Sequence, residues 1–360
     1  MKRPAIAPAT ALRRVLVALA LGVAAIPAHT GAIAPHAMAI VGALESRAAP
    51  TLAVLALDST TEDRILALDP EALSAADVRD ILSLAPAPRI IALQGSVPLV
   101  TMQPFAEFLI AMGYPETQLA DPRSGALSYA SNGSSAELAG AVAWYYETDG
   151  LTPMLIGHSQ GGMLAIKVLH ELAGSFGSEV DVWNPLTDTS EHRTWIRDPR
   201  SGAIRPVLGL RLPYVAALAT GKLPRLLLGQ WSMLKKVREI PDTVEEFSGY
   251  TIEWDPIAGT FPGSEPYRAT GAAKVRNITL GMATSHIGMP LARDLARIAV
   301  TRAWIEAYRP GESLALPAGA EVDTANLLHS ADIWFSVKKH WCIELQRSIR
   351  ARRNDAAAGA

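Results

Sequence analysis

The most constraining feature of the sequence is a strand-like run, a glycine-rich turn and a helix-like run that follow one another without a gap. Residues 153–156 read PMLI, which is short and fully apolar. Residues 157–162 read GHSQGG, and residues 163–174 read MLAIKVLHELAG, with apolar residues at helical spacing. A buried strand that passes directly into a helix is typical of a parallel sheet covered by helices.

The rest of the chain repeats this alternation of short apolar runs and longer helix-like segments. Strands are predicted at 51–57, 89–93, 153–156, 250–254 and 275–282, and helices at 69–84, 105–112, 134–149, 163–174 and from about 291. Hydrophobic residues make up 49% and charged residues 19% of the 360 residues, which favours a large core over disorder. We therefore expect an α/β fold with a mostly parallel sheet and helices on both faces.

Charge and cysteine content exclude several classes of protein. Lys and Arg number 33 against 35 Asp and Glu, so the net charge of −2 gives no overall field that would attract nucleic acid or an anionic membrane surface. Cys342 is the only cysteine, which excludes an intramolecular disulfide, a cysteine-cluster zinc site and an iron–sulfur cluster.

The first 39 residues are interpreted as a signal peptide or an N-terminal anchor. Basic residues including Arg13 and Arg14 precede an apolar run at 15–28, and small residues suitable for cleavage follow. This pattern favours an exported protein, periplasmic or secreted. The alternative is an uncleaved membrane anchor, because no charged residue occurs between Arg14 and Glu45.

The turn GHSQG matches the pattern Gly-x-Ser-x-Gly, which places a serine between a strand and a helix. A serine hydroxyl reacts as a nucleophile when it is exposed beside a base and near dipoles that stabilise an oxyanion. Gly157 and Gly161 occupy positions where side chains would collide across such a turn. Ser159 is therefore the candidate nucleophile, and the amide of Gln160, at the helix N-terminus, is a candidate oxyanion donor.

With this motif the chain resembles the α/β-hydrolase superfamily, and within it the lipase- and esterase-like serine hydrolases, over about 51–309. The resemblance implies the chain order serine, acid, histidine and a second oxyanion donor in the loop after an earlier strand. That loop matches Gln94-Gly95 here, where family members often carry His-Gly. The amide of Ser96 is the expected donor, with Val97 as the alternative.

Among the eight histidines, His286 is the candidate base. It follows the predicted strand 275–282 and precedes the predicted helix from about 291, which is where the family places its base. His158 lies inside the motif and is too close in sequence to serve the serine. The remaining histidines fall in the leader, in the helix after the motif, in the proposed insertion or beyond the core.

Asp255 is the candidate acid that orients His286. It directly follows the predicted strand 250–254, and it lies between Ser159 and His286 in the chain. Asp181 and Asp188 are alternatives, because some relatives carry the acid after an earlier strand.

The predicted domain organisation has a core interrupted by an insertion. The core comprises 51–184 and 249–309, and a cap or lid is predicted at 185–248, which contains a leucine-, valine- and alanine-rich run. In related hydrolases such an insertion covers the serine. The extension 310–360 contains an amphipathic helix, expected to dock on the body; the alternative is a helix that binds a membrane surface or a partner.

These expectations combine into a serine hydrolase that cleaves a carboxylic ester through an acyl-enzyme and requires neither a metal nor an organic cofactor. An apolar insertion favours a small-molecule or lipid ester with an apolar acyl part. A thioesterase or acyltransferase would use the same three residues. An exported binding protein with this fold and an inactive site is the alternative outside the enzymes. Membrane association is expected only through the N-terminal segment or the C-terminal helix.

Overall fold

The structure is a computed structural model that describes residues 57–97, 99–221, 230–312, 315 and 324–358. The predicted leader and, apart from its last residue, the predicted strand at 51–57 lie outside the described residues. Among the helices that are described, none has both the length and the hydrophobicity needed to cross a bilayer.

Helices and short strands surround one larger sheet. The α-helices are α1 (Ser59–Ala67), α2 (Ala75–Asp80), α3 (Gln103–Ala111), α4 (Ser135–Asp149), α5 (Gln160–Leu172), α6 (Ala299–Ala307) and α7 (Thr324–Ala358). The strands are β1 (Ile90–Leu93), β2 (Met154–His158), β3 (Trp183–Asn184), β4 (Thr189–Ser190), β5 (Trp195–Arg197), β6 (Ile204–Pro206), β7 (Leu212–Leu218), β8 (Glu239–Ile240), β9 (Val244–Ile252), β10 (Arg268–Ala269) and β11 (Lys274–Leu280).

The central sheet has five strands in the order β1-β2-β7-β9-β11, and every pair of neighbours is parallel. Successive residues of a strand point to opposite faces, and both faces are buried. Ile90 and Ile156 pack with α3, α6 and α7 on one face, whereas Ile91 and Leu155 pack with α4 and α5 on the other. The predicted α/β class with a parallel central sheet is confirmed.

Local signals explain which helices were predicted with the correct bounds. Ser134 caps α4 by accepting a hydrogen bond from the amide of Glu137, as its position before the helix indicates. The predicted helix at 69–84 was too long, because Asp69 accepts the amides of a turn and α2 begins only after the capping residue Ser74. A 3₁₀-helix at Leu82–Leu84 completes this region.

The cap prediction was wrong for the segments that form β7 and the start of β9. All seven residues of β7 are buried, and this strand lies in the middle of the central sheet. An apolar run covered on both faces has no alternating pattern, so its composition resembles that of an apolar lid. Part of the predicted cap, residues 222–229, lies outside the described residues.

Helix α7 is an integral part of the core. Trp334 and Trp341 have no exposed surface, and they pack in the cluster that also contains Phe105 and Ile90. The apolar face predicted between 333 and 349 therefore docks on the body, as expected.

Candidate active site

Ser159 occupies a strained turn between β2 and α5. Its φ of 53° and ψ of −114° lie in a region that residues with a side chain rarely adopt. Such a conformation costs about 1–3 kcal/mol and persists where the surroundings enforce it. Here the amide of Ser159 donates to Leu218 O at 2.8 Å, and Thr220 Oγ1 donates to Ser159 O at 2.9 Å. The end of β7 thus fixes the backbone of the serine.

The turn has this shape because three glycines allow close backbone packing. A Cβ on Gly157 would lie 2.4 Å from the backbone of Gly161, and one on Gly161 would lie 2.2 Å from Leu93 O. A Cβ on Gly162 would lie 2.0 Å from Thr220 Oγ1. The predicted requirement for glycine at 157 and 161 is confirmed.

Asp255 and His286 form a buried pair. Asp255 follows β9 and His286 follows β11, so both leave the sheet at the edge where β2 delivers Ser159. His286 Nδ1 lies 2.6 Å from Asp255 Oδ2, and the other carboxylate oxygen accepts the amides of Ile257 and Ala258, each at 3.0 Å. Since a carboxylate only accepts, Nδ1 carries the proton and Nε2 is the nitrogen available as a base.

Nε2 of His286 is buried and has no hydrogen-bond partner in the described part of the chain. Ser159 Oγ is therefore not bonded to it in this structure. His158, the residue before Ser159, packs against His286: the centroids of the two rings are 5.0 Å apart. The structure thus brings the candidate acid and base together and places His286 against His158, the residue before the serine. Catalytic hydrogen bonds are often long or poorly aligned without substrate.

The loop after β1 packs directly against the serine. A Cβ on Gly95 would lie 3.2 Å from Ser159 Cβ and 3.1 Å from His158 Nδ1. Gln94 Oε1 accepts a hydrogen bond from Ser128 Oγ at 2.9 Å, which fixes the base of this loop. Ser96 follows at the exposed end of the loop, and Val97 is half-buried.

Gln160 begins α5 immediately after the serine, so its amide belongs to the first helical turn, whose N–H groups have no partner within the helix. Its side chain is held away by a hydrogen bond from Nε2 to Ser131 O at 3.2 Å.

The alternative acids do not reach the histidine. Asp181 is exposed and accepts from Ser190 Oγ, while Asp188 forms an exposed ion pair with Arg123. In the described residues no group of three or more His, Cys, Asp or Glu side chains is arranged to hold a metal ion.

Sequence reasoning missed the part played by His158 in this geometry. Its Nε2 lies 2.9 Å from His286 O, and the ring is almost completely buried. Burial, together with the neighbouring His286, lowers the pKa of His158 from 6.5 to about 3. The only signal in the sequence is its place at the end of a buried strand, and its partner lies 128 residues away.

No protein-family model, no curated protein and no solved structure matches this chain.

Proposed function

We propose that this protein is a serine hydrolase with an α/β-hydrolase fold that cleaves carboxylic esters through an acyl-enzyme. One observation carries the proposal: the residue before a serine in a strained strand-to-helix turn, His158, contacts His286 of a buried Asp255–His286 pair, whose second nitrogen has no partner in the described residues. Structural serines and histidines have no need of this arrangement, whereas an activated nucleophile requires it.

Each residue has one role in the proposed reaction. Ser159 Oγ attacks the ester carbonyl carbon while Nε2 of His286 accepts the hydroxyl proton, and Asp255 stabilises the resulting imidazolium. The same proton passes to the departing alcohol oxygen as the ester bond breaks. Water then attacks the acyl-enzyme by the reverse sequence and releases the acid. The amides of Gln160 and Ser96 are the proposed donors to the oxyanion, with Val97 as the alternative for the second.

Exposed apolar side chains around the proposed site support a substrate with an apolar part. The loop of Asp255 exposes Trp254, Ile257 and Phe261, and the loop of His286 exposes Met282, Ile287 and Leu291. The rings of Trp254 and Phe261 pack 5.1 Å apart, so these two side chains share one surface. Large apolar side chains that are grouped and exposed usually mark a binding surface.

A fluorophosphonate probe tests the proposed function, because it reacts covalently with an activated serine. We expect labelling of the wild type and of Ser330→Ala, a control that removes a buried serine in α7. Ser159→Ala is expected to lose the label. A folded wild type that resists the probe would instead favour the non-catalytic binding protein.

A panel of nitrophenyl esters from acetate to palmitate tests the substrate class. We expect kcat/KM to increase with acyl-chain length over at least the shorter members, because each added methylene that is buried contributes about 0.8 kcal/mol. A preference for acetate, with no gain from longer chains, would contradict an apolar acyl site.

A further inference from the structure

His158 connects three parts of the proposed site. It is covalently next to Ser159, it packs against Gly95 of the loop after β1, and its Nε2 lies 2.9 Å from the carbonyl oxygen of His286. The last contact ties the backbone of the candidate base to the strand that delivers the candidate nucleophile.

The direction of this hydrogen bond follows from its acceptor. A carbonyl oxygen only accepts a hydrogen bond, so Nε2 of His158 carries a proton and donates it to His286 O. The ring is neutral when the other nitrogen, Nδ1, carries no proton. Nδ1 is buried without a partner and faces Gly95. Because no carboxylate or hydroxyl bonds this ring, the bond to His286 O is its single polar contact in the described residues.

Other restraints on this loop lie beyond His286: Asn326 Nδ2 of α7 donates to Gly288 O at 2.9 Å, and His329 Nε2 lies 2.9 Å from Met289 O, whereas the bond from His158 reaches the backbone of His286 itself. Asp255 holds the ring through Nδ1, but the loop around His286 has turns at 281–284 and 285–288 rather than regular structure. A hydrogen bond to its own carbonyl therefore restrains the backbone from which the ring projects. Misplacement of a catalytic group by about 1 Å costs on the order of 100-fold in rate.

We infer that His158 is a positioning residue: its Nε2–H ties the backbone of His286 to the strand that delivers Ser159. The inference rests on the proposed hydrolase function and assigns to His158 no contact with substrate.

A matched pair of variants separates the hydrogen bond from the volume of the side chain. Gln places an N–H donor the same number of bonds from Cβ as His Nε2, and Met has similar length without a donor. We expect His158→Met to lower kcat about 10- to 100-fold with KM within twofold, and His158→Gln to retain kcat within about threefold of the wild type. Rates are expressed per site titrated with the fluorophosphonate probe, so unfolded protein does not contribute.

His170→Met is the control for losing any buried histidine. His170 lies in the last turn of α5, is also buried, and has Nε2 2.9 Å from Glu239 O. We expect it to lower the melting temperature and to leave kcat per titrated site unchanged.

Two results would overturn the inference while leaving the hydrolase proposal intact: His158→Met with wild-type kcat, or His158→Gln as slow as His158→Met. A wild type that neither reacts with the probe nor turns over esters would instead contradict the proposed function itself, so the two failures are distinguishable.

Discussion

Two buried polar clusters of this protein differ in the charged partners they contain and in the backbone elements that carry their residues. The first is the candidate active site at the carboxyl ends of the strands. The second, here the α7 network, joins helix α7 to β9 and β11 and consists of Glu246, Arg276, Asp332, Lys339 and His340.

In the α7 network each carboxylate has several partners. Glu246 contacts Arg276, Lys339 and His340 at 3.0, 3.0 and 3.3 Å, and Asp332 contacts Arg276 and the hydroxyls of Tyr250 and Tyr308. All these residues except Tyr308 belong to regular helix or strand. The network is therefore a structural one, which couples the C-terminal helix to the sheet.

The candidate site contains one carboxylate, that of Asp255, and no Lys or Arg of the described residues is bonded to it. Asp255 and His286 lie in loops, and Ser159 lies in a strained turn. An unpartnered nitrogen alone does not distinguish the clusters, since His340 Nδ1 is also buried without a partner. What distinguishes the candidate site is the combination of a strained serine, loop placement of the acid and base, and an unpartnered histidine nitrogen in contact with the residue before that serine. Such a combination is typical of a site that performs a reaction rather than one that stabilises the fold.

The largest change in activity is expected from a substitution of Asp255 in the candidate site. Asp255→Asn keeps an oxygen for the amides of Ile257 and Ala258 but offers an NH₂ group to His286 Nδ1, which selects the wrong tautomer. We expect kcat for nitrophenyl esters to fall about 10⁴-fold with a melting temperature close to that of the wild type. A loss below tenfold would show that Asp255 does not orient the base.

In the α7 network we expect the opposite result, a loss of stability without a loss of activity. Burial raises the pKa of Glu246, but the hydrogen bond from His340 and the charges of Arg276 and Lys339 outweigh it, and the net pKa is lowered. Glu246→Gln removes one carboxylate from Arg276 and Lys339, which keep Asp332 and Glu71 as partners, so we expect a loss of about 1–3 kcal/mol in the free energy of unfolding. Urea denaturation measures it, and kcat per folded molecule is expected to remain unchanged. A stable but inactive variant would contradict the division between the clusters.

His158 in the candidate site is expected to make the stability of the protein depend on pH. Its pKa is about 3 in the folded protein, against the ordinary value of 6.5 for a solvated histidine, so the unfolded chain binds more protons between these values. The free energy of unfolding therefore decreases as pH falls through this window, by up to about 1.4 kcal/mol per pH unit from this residue.

His158→Gln lacks the titrating ring, so we expect its unfolding free energy to depend less steeply on pH than that of the wild type between pH 6 and 4. Urea denaturation at several pH values provides the comparison. Equal slopes for the two proteins would show that His158 titrates alike in the folded and unfolded states.

The smallest expected effect concerns the support of the strained turn. Thr220→Val removes the hydrogen bond to Ser159 O but keeps the shape of the side chain. Because Ser159 O still accepts the amide of Met163, we expect a loss of about 1 kcal/mol in unfolding free energy. A few-fold decrease in kcat is expected with it. A loss of about 3 kcal/mol or more, the full cost of a buried unsatisfied group, would indicate that Thr220 alone enforces the conformation.

The parts of the site predictable from sequence were those with a local signal. The glycines around Ser159 are required by steric contact within a few residues and across to β1, and the motif encodes that requirement. Asp255 and His286 were predictable because each follows a strand, and the ends of parallel strands meet at one edge of the sheet.

The parts that could not be predicted depend on contacts distant in sequence. β7 is buried on both faces, so its apolar run carried no alternation to distinguish a central strand from a lid. The hydrogen bond of His158 depends on how the loop after β11 approaches the end of β2, which no local pattern specifies.

Activation of Ser159 by the Asp255–His286 pair is measured by the rate at which a fluorophosphonate modifies the protein, with the modified residue located by peptide mass spectrometry. We expect an adduct on Ser159 in the wild type and a second-order rate constant at least about 1000-fold lower in His286→Ala. An adduct on another residue, or equal rates in the two proteins, would contradict it.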